Sequence, residues 1–409
     1  GLGNPGGWSL AETNVGQLSF YLQDQWDVAD NFKLTYGIRF DKPLYFDTAE
    51  KIRENIERKG GASGTYIPSI QYFDPDTDEP IFLDSTTLPN NNFLVSPRVG
   101  FNWDVYNDNS LQLRGGSGLF TGRFPFVWLG NQVQGVDFFF YQLVDPDLQW
   151  PQVWRTNIGA DKRFDNGLIL TADVSYTKDV NAAHVQNWGL SSPSETLNGV
   201  DNREVYANSD KSQIFGGPTN AYVFTNSDKG RIWNASVKGQ KSFSNGIYAM
   251  LAYNYLNAKE VNSIDAEITG DAFAGNGIVG NANRDVLSFS RYGDTHRFIG
   301  VISKEFSTGT TISTFFEYAQ SGRYRYIYGG DINNDGSSIN DLLYIPTASE
   351  VGQMNFSGPG QAEAFEQFIQ QDDYLSGRRG QYAERYGPLA PWRLSLIHIS
   401  EPTRLWSGS

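Results

Sequence analysis

The chain of 409 residues contains no cysteine, two methionines and only three histidines, His184, His296 and His398. Without cysteine it has no disulfide framework, no thiolate zinc site and no cysteine nucleophile. The three histidines lie far apart in the sequence, which argues against a metal site built from histidine. The longest run of apolar residues, 247–253, has seven members, whereas a transmembrane helix needs about 20.

Basic residues are in deficit, with 32 Lys and Arg against 46 Asp and Glu, so the formal net charge is −14. Nucleic-acid-binding proteins normally carry a basic surface, and this balance therefore predicts no nucleic-acid partner. Aromatic residues are abundant, at 14% of the chain. That much apolar material argues against disorder.

Several runs alternate strictly between apolar and polar residues. The run FKLTYGIRFD, residues 32–41, places Phe, Leu, Tyr, Ile and Phe on one side and Lys, Thr, Gly, Arg and Asp on the other. Similar runs start at Pro97, Trp154, Leu168 and Trp233. Such runs predict strands with one apolar and one strongly polar face.

The connections between these strands alternate between short and long. Five short turns, including Asp-Asn-Gly at 165–167 and Ser-Asn-Gly at 244–246, predict five hairpins. The ten predicted strands lie near 16–28, 32–42, 93–105, 110–120, 152–164, 167–179, 230–243, 246–259, 294–306 and 310–320. Long segments rich in Gly, Asn, Asp and Pro separate the hairpins, at 43–92, 121–151, 180–229, 260–293 and 321–392.

Strands of about ten residues, with short turns on one side and long loops on the other, are typical of an outer-membrane β-barrel. A soluble sandwich has shorter strands, and a propeller would show a repeat that is not found here. A charged residue on the lipid side would be costly. The polar face is therefore expected to line the barrel interior, and it carries Arg39, Arg98, Arg155, Asp173 and Lys238.

Several segments resemble the TonB-dependent outer-membrane receptors, and among them the Oar-like branch typical of Bacteroidetes. They include FYLQDQWDVADNFKLTYGIRFDKP, SPRVGFNWDVYNDNSLQLRGGSGLFTGRFPFVWLGNQ and QVWRTNIGADKRFDNGLILTADVSYTKDVNA, and also QKSFSNGIYAMLAYNYLNAKEVNS, GDINNDGSSINDLLYIP and YLSGRRGQYAERYGPLAPW. The resemblance implies an all-β, antiparallel, 22-stranded transmembrane barrel in the outer membrane of a Gram-negative bacterium. It also implies import of a nutrient with energy from the TonB–ExbB–ExbD complex, which acts through a plug domain.

On this interpretation residues 1–393 are part of a receptor barrel that begins within a longer protein, and the plug, the TonB box and the signal peptide are expected outside this sequence. About ten strands cannot close such a barrel, so an open half-barrel with long extracellular loops is expected. Residues 394–409 resemble a translated sequencing adapter and are expected to be non-native. A genuine β-strand is the alternative for this tail.

A calcium-loop pattern begins at Asp331, in the segment DINNDGS. Oxygen ligands at positions 1, 3 and 5 and a Gly at position 6 follow the pattern, but position 12 is Leu342. The candidate ligands of a Ca²⁺ ion are Asp331, Asn333, Asp335, Ser337 and Asp341. The alternative is an exposed turn rich in Asp and Asn. No other cofactor is expected.

Aromatic residues in the long loops are candidates for contact with a substrate, because exposed rings stack on sugars or grip peptides. They are Phe138, Phe139, Tyr141, Tyr324 and Tyr326. The alternative is that these rings form the core of the loops or complete the aromatic girdle. Residues 361–372, QAEAFEQFIQQD, predict a short helix from their apolar spacing.

The function expected from the sequence is that of a transport receptor whose outer loops bind a peptide, a glycan or a chelate. No nucleophile and base can be assembled into a catalytic set, so no enzyme is expected. The partners are TonB, outer-membrane lipid and a surface lipoprotein that the sequence does not identify. Alternatives are a passive porin, an adhesin that acts through its loops, or a soluble carbohydrate-binding β-protein.

Overall fold

The computed structural model describes residues 12–58, 68–134, 140–214, 217–264, 266 and 268–402. In these residues one large antiparallel sheet carries eleven long strands in the order of the sequence. They are β1 Gly16–Ala29, β2 Phe32–Leu44, β3 Leu94–Asp104, β4 Leu111–Thr121, β5 Gln152–Arg163, β6 Ile169–Asp179, β7 Arg231–Ser242, β8 Ile247–Glu260, β9 Asp294–Glu305, β10 Thr310–Ser321 and β11 Trp392–Pro402.

The first ten strands confirm the hairpins predicted from alternation, with bounds that differ by two residues or fewer. Three of the turns place a glycine at positive φ, with values of 81° at Gly167, 78° at Gly246 and 76° at Gly309. A side chain at such a position would be strained, which explains why each of these tight turns contains glycine. In the described chain β1 and β11 each pair on one side only, as the open half-barrel predicts.

The strand register separates the two faces of the sheet. Val99 on β3 lies opposite Tyr36 on β2, and Ile158 on β5 lies opposite Val174 on β6. Val99 and Ile158 are 47% and 57% exposed. Side chains alternate along a strand, so Arg98 and Arg155 lie on the opposite face. The prediction of one apolar face and one polar face is confirmed.

The polar face holds a network of ion pairs. Arg114 on β4 lies between two carboxylates, with its Nε 3.3 Å from Asp161 and its Nη2 donating a 3.1 Å hydrogen bond to Asp173. On β2, Arg39 donates to both oxygens of Asp41, at 3.0 and 2.9 Å. This face is built for water or for a polar protein surface rather than for hydrocarbon.

The five long connections fold together into what we call the loop layer. Its short strands are Tyr72–Phe73, Pro80–Ile81, Phe140–Val144, Ala182–Asn187, Glu195–Thr196, Glu204–Val205, Gln213–Ile214, Gly217–Pro218, Asn220–Ser227, Ser288–Phe289, Tyr344–Ile345 and Gln381–Tyr382. Its helices are α1 Thr48–Arg58, α2 Phe126–Gln134, α3 Thr269–Ala274, α4 Ala348–Val351, α5 Gln361–Gln371 and α6 Asp373–Ser376, with a 3₁₀ turn at Asn208–Asp210. No helix of the described residues has the length and apolarity to cross a membrane.

The main hydrophobic core lies in the loop layer rather than on the sheet. Its fully buried members include Trp150, Leu129 and Phe224, and only Leu94 among its buried residues belongs to a long strand. The indole of Trp150 donates a 3.0 Å hydrogen bond to the hydroxyl of Tyr45, which satisfies its one polar atom inside the core. The loop layer is therefore a packed structure that holds its side chains in fixed positions.

Helix α5 confirms the helix predicted at 361–372. Residues 394–402 of the tail continue β11, which begins at Trp392 and pairs with β10 over residues 392–402, and residues 403–409 lie outside the described residues. A β-prone sequence takes this position whatever its origin, so the non-native origin of residues 394–409 stays a prediction.

Candidate functional site

A three-stranded sheet inside the loop layer positions the candidate site. Its central strand, Asn220–Ser227, pairs antiparallel with Ala182–Asn187 and parallel with Phe140–Val144. A small apolar cluster that includes Tyr72 and Val223 fixes the first long loop against this sheet. Three of the five loops thereby meet at this loop sheet.

Asp145 follows the strand Phe140–Val144 directly and opens a turn with the sequence Asp-Pro-Asp. Its Oδ1 accepts a 2.8 Å hydrogen bond from the backbone N–H of Asp147, and its Oδ2 accepts one of 2.8 Å from the hydroxyl of Thr225. This pattern is an Asx turn tied to the central strand. It leaves Asp147 exposed at the tip of the turn.

A second turn with the same sequence, Asp74-Pro75-Asp76, lies at the same loop sheet. The Oδ1 of Asp74 accepts hydrogen bonds from the backbone N–H groups of Asp76 and Thr77, at 3.0 and 2.9 Å. Asp76 is exposed. In both turns the first aspartate builds the turn and the second is presented to its surroundings.

The fourth long loop closes the site through Asn283 and Asp285. The amide of Asn283 donates hydrogen bonds to the backbone carbonyls of Asn187, at 2.8 Å, and Leu190, at 3.2 Å. The carboxylate of Asp285 accepts a 2.7 Å hydrogen bond from Ser227 and lies 3.2 Å from Nε2 of the fully buried His184.

Together these elements enclose a polar cavity of about 610 Å³, which we call the loop cavity. Its lining residues come from four loops and comprise Asp74, Pro75, Asp76, Asp145, Asp147, Gln186, Trp188, Ser192, Thr225, Asn226, Lys229, Asn281, Asn283, Arg284 and Asp285. Five carboxylates face two cationic side chains there. Lys229 donates a 3.0 Å hydrogen bond to the backbone of Asp285, and Arg284 pairs with Glu204 at 2.8 Å.

The charges in the loop cavity influence one another. Burial raises the pKa of Asp145, and the nearby charges of Asp147 and Asp74 raise it further. Burial also raises the pKa of Asp285, but this is outweighed by His184, Ser227 and Lys229. The pKa of the Asp285 carboxyl is therefore below its usual value. The five carboxylates outnumber the two cationic side chains, so the cavity favours cationic groups and hydroxyl donors.

Trp188 is the one aromatic residue among the described residues that line the loop cavity. Its indole N–H donates a 3.1 Å hydrogen bond to the side chain of Gln186, which fixes the ring beside the carboxylates. A fixed ring beside carboxylates and amides can bind the faces of sugars or peptide side chains and orient them by hydrogen bonds.

The predicted aromatic residues do not line this cavity in the described structure. Tyr326 packs in a separate cluster with Tyr374 and Phe368 and donates a 2.6 Å hydrogen bond to Asp372. Tyr324 contacts Tyr326 edge to face. The backbone of Tyr141 pairs with Ala221 in the loop sheet, whereas Phe138 and Phe139 lie outside the described residues. Contact of these residues with a substrate stays a prediction.

Four of the five candidate calcium ligands, Asn333, Asp335, Ser337 and Asp341, are buried among the other loops, whereas Asp331 is exposed. The carboxylate of Asp335 is 2% exposed and accepts hydrogen bonds from the amides of Asn333, at 3.1 Å, and Asn340, at 2.7 Å, and from the backbone of Ser337. Burial raises the pKa of this carboxyl to about 6. The Oδ1 of Asn340 is buried and accepts no hydrogen bond from the described residues.

The other carboxylates of the calcium loop also hold the backbone. The carboxylate of Asp331 accepts hydrogen bonds from the backbone N–H groups of Asp335 and Gly336, both at 2.9 Å. The carboxylate of Asp341 accepts a hydrogen bond of 2.7 Å from the backbone N–H of Ile332. Within the described ranges no three His, Cys, Asp or Glu side chains are grouped as a metal site. Calcium binding by this loop stays a prediction, and it requires the amides of Asn333 and Asn340 to turn their oxygens inward.

Asp341 is engaged instead by Arg203, a guanidinium that is 2% exposed. Arg203 donates to Asp341 at 2.7 Å and to Asp201 at 2.8 Å, and it lies between the rings of Tyr328 and Tyr382, 5.0 and 5.3 Å from their centroids. This buried group joins the third and fifth long loops.

Sequence reasoning missed the loop cavity, although one signal was available. The motif Asp-Pro-Asp occurs at 74–76 and again at 145–147, each time next to an apolar strand segment. A repeated turn sequence in two loops suggests a shared structural task. Its convergence on one cavity depends on contacts between distant segments, which the sequence alone does not reveal.

Comparison with known proteins gives one family match. Residues 8–142 match the sequence model of a family described as an outer membrane beta barrel domain. None of the curated proteins matches this sequence.

Solved structures with a similar fold include two receptors and an outer membrane transporter. A mutant of the ferric enterobactin receptor PfeA from Pseudomonas aeruginosa is 10% identical, with a TM-score of 0.44 over 76% of this chain and 33% of that one. The outer membrane transporter YddB from Escherichia coli is 12% identical, with a TM-score of 0.47 over 79% and 35%. The siderophore receptor PirA from Acinetobacter baumannii is 10% identical, with a TM-score of 0.46 over 82% and 38%. The chain thus spans about a third of the length of these proteins.

The family match agrees with the two-faced sheet and with its short turns and long loops. The sheet is the wall of an outer-membrane β-barrel. In such barrels the long loops are extracellular and the short turns periplasmic. The loop cavity therefore lies on the extracellular side of the membrane.

Proposed function

We propose that this chain is part of a TonB-dependent outer-membrane receptor that captures a nutrient in its loop layer and imports it. The loop cavity carries the proposal, because four loops converge on it and hold carboxylates, amides and an indole in fixed positions. A passive pore needs no such convergence. We assign the protein no catalytic role.

The chemistry of the loop cavity favours some classes of substrate over others. Carboxylates that outnumber cationic side chains repel anions and favour a solute with positive charge or many hydroxyl groups. A basic peptide or a glycan fits this better than an anionic chelate does. Asp147 and Trp188 are the residues that we expect to touch the substrate.

The energy source and the lineage are part of the same proposal. The sequence segments quoted above resemble the Oar-like receptors of Bacteroidetes, whose transport depends on the TonB–ExbB–ExbD complex acting through a plug. The polar face, with Arg39, Arg114 and Arg155, provides the surface against which such a plug would lie. A surface lipoprotein that delivers substrate to the loops is a further candidate partner.

The decisive test is whether uptake of a labelled probe depends on TonB and on the proton gradient. Cells that produce the receptor are given three labelled probes, namely a tryptic digest of casein, malto-oligosaccharides and a ferric trihydroxamate chelate. We expect accumulation of at least one probe that falls at least tenfold when TonB is deleted or a protonophore is added. A receptor with Asp147→Asn and Trp188→Ala should lose this accumulation, whereas one with Phe368→Ala, outside the loop cavity, should keep it.

The alternatives give different results in the same assay. A passive porin would admit the probes equally with and without a proton gradient. An adhesin would bind a surface without any accumulation inside the cell. Either result would contradict the receptor proposal.

A further inference from the structure

Three of the periplasmic turns share a sequence that the hairpin itself does not require. The pattern Lys-x-Phe-x-x-Gly occurs as KRFDNG at 162–167, KSFSNG at 241–246 and KEFSTG at 304–309. In each, the backbone N–H of the glycine donates to the carbonyl of the phenylalanine, at 2.9, 3.1 and 2.9 Å. The turn geometry explains the glycine, but it explains neither the lysine nor the phenylalanine.

All three lysines lie on the apolar face of the sheet. Lys162 on β5 is opposite Leu170, Lys241 on β7 is opposite Ala249, and Lys304 on β9 is opposite Ile247. This face meets lipid, because the opposite face carries the network of ion pairs. Each lysine is close to the short turn that ends its strand, and therefore to the periplasmic surface of the membrane.

Two of the three ammonium groups donate a hydrogen bond to a neutral group of the protein, Lys162 to the hydroxyl of Ser110 at 3.4 Å and Lys304 to the backbone carbonyl of Asn245. Lys241 lies over the ring of Phe243, with Nζ 5.1 Å from the centroid, and Lys304 lies over Phe306 at 5.8 Å. Lys162 lies over Tyr106 at 5.3 Å. Over the described ranges none of the three forms an ion pair with a carboxylate within 4.0 Å. Each ammonium group has three N–H donors, so all three lysines keep donors that an external anion can accept from.

The spacing of the lysines suits lipid headgroups. They lie on alternate strands, β5, β7 and β9, and neighbouring strands are about 4.8 Å apart, so consecutive lysines are about 10 Å apart along the wall. We call Lys162, Lys241 and Lys304 the lysine row. Headgroups at the periplasmic interface can approach it directly, because lysine side chains near the ends of a spanning segment extend toward the interface.

An apolar groove of about 430 Å³ begins beside Lys241. Small residues line it at Gly239 and Ala249, and the larger Leu251 and Ile302 stand beside them, 53% and 56% exposed. Lys241 itself borders the groove. A cation at one end of an apolar channel matches a molecule with an anionic head and a hydrocarbon tail.

We propose that the lysine row binds an anionic phospholipid of the periplasmic leaflet. The phosphate accepts hydrogen bonds from the lysine ammonium groups, and one acyl chain lies in the groove over Gly239 and Ala249. A phospholipid with a choline headgroup is disfavoured, because its own cation cancels the attraction. The site is separate from the loop cavity and lies at the opposite end of the barrel wall.

Native mass spectrometry of the purified receptor tests this proposal, with phosphatidylglycerol and phosphatidylcholine as the two probes. The wild-type protein should retain at least fivefold more phosphatidylglycerol. Lys241→Gln should lower that retention at least twofold, and the triple variant Lys162→Gln, Lys241→Gln, Lys304→Gln should abolish the preference. The triple change to Arg keeps the charges and should keep the preference.

Two control variants distinguish binding at the lysine row and its groove from a general effect of the protein's charge on lipid retention. Lys238→Gln alters the same strand on the polar face and should leave retention unchanged. Ala249→Phe fills the groove without changing charge and should lower retention of phosphatidylglycerol. Equal retention of the two lipids, or equal loss in Lys238→Gln and Lys241→Gln, would overturn the proposal. If the triple glutamine variant does not fold, Lys241→Gln and Ala249→Phe still decide the question.

Discussion

The hydroxyl of Thr225 donates a 2.8 Å hydrogen bond to the carboxylate of Asp145, across 80 residues of sequence. The other oxygen of Asp145 accepts the backbone N–H of Asp147. Both oxygens of Asp145 are therefore engaged in fixing the turn, and the exposed Asp147 is left to face a ligand. This division of roles leads to the first prediction.

Asp147→Asn should weaken binding of a basic peptide or glycan substrate about tenfold or more and leave the melting temperature unchanged. Asp145→Ala should instead lower stability by about 1–3 kcal/mol, because it removes a cap of the turn and leaves the Thr225 hydroxyl without its acceptor. Differential scanning calorimetry and a binding titration on both variants separate the two effects. Loss of stability in Asp147→Asn would contradict the assigned roles.

The lipid-facing assignment of the sheet predicts an asymmetry between neighbouring residues of β5. Ile158→Arg places a charge against hydrocarbon and should destabilise the folded barrel by about 2–4 kcal/mol. Asn157→Arg lies on the polar face and should cost less than about 1 kcal/mol. Urea unfolding in lipid vesicles measures both. Equal destabilisation would show that the two faces had been assigned wrongly.

Substitution of Arg203 should destabilise the loop layer much more than substitution of an exposed arginine. Arg203→Met leaves the carboxylates of Asp201 and Asp341 buried without their cation, and loss of one partner of a buried ion pair typically costs about 3–5 kcal/mol. The loop layer should then become susceptible to protease while the sheet stays intact. Arg284→Met is the matched control, because Arg284 is exposed and its pair with Glu204 contributes about 1 kcal/mol or less.

The extent to which the sequence predicts this structure differs between the sheet and the loop layer. Alternation of apolar and polar residues is a local signal. Ile158 and its neighbours therefore predict the strand, the face on which each side chain lies, and the turn that follows. The loop layer depends on contacts such as Thr225 with Asp145 and Arg203 with Asp341, which join residues 80 and 138 positions apart. Helix α2 was missed for a related reason, because its sequence FVWLGNQVQ is apolar without a clear helical stripe and is held by tertiary packing.

The calcium prediction can be tested by calorimetry on the whole receptor. If Asp331, Asn333 and Asp335 bind Ca²⁺, titration should release or absorb measurable heat with one site per protein, and Asp331→Asn should weaken it. Mg²⁺ should bind more weakly, because it demands a near-ideal octahedral set of oxygens and gives up its water ligands reluctantly. No heat with Ca²⁺ would leave the loop with the role of bracing its neighbours.

Lowering the pH should destabilise the folded protein at the loop cavity, because the carboxylate of Asp285 becomes protonated. Its carboxyl has a pKa below the ordinary value of 3.8 in the folded protein, where His184, Ser227 and Lys229 outweigh the effect of burial. A lowered pKa in the fold means that the ionised form contributes stability above pH 3.8, and that this contribution is lost as the pH falls through the folded value. The melting temperature of the wild-type protein should therefore fall more than that of Asp285→Asn between pH 5 and pH 3. Ser227→Ala keeps the carboxylate but removes one donor, so its pH dependence should lie between the two, and parallel curves for all three proteins would contradict the role of Asp285.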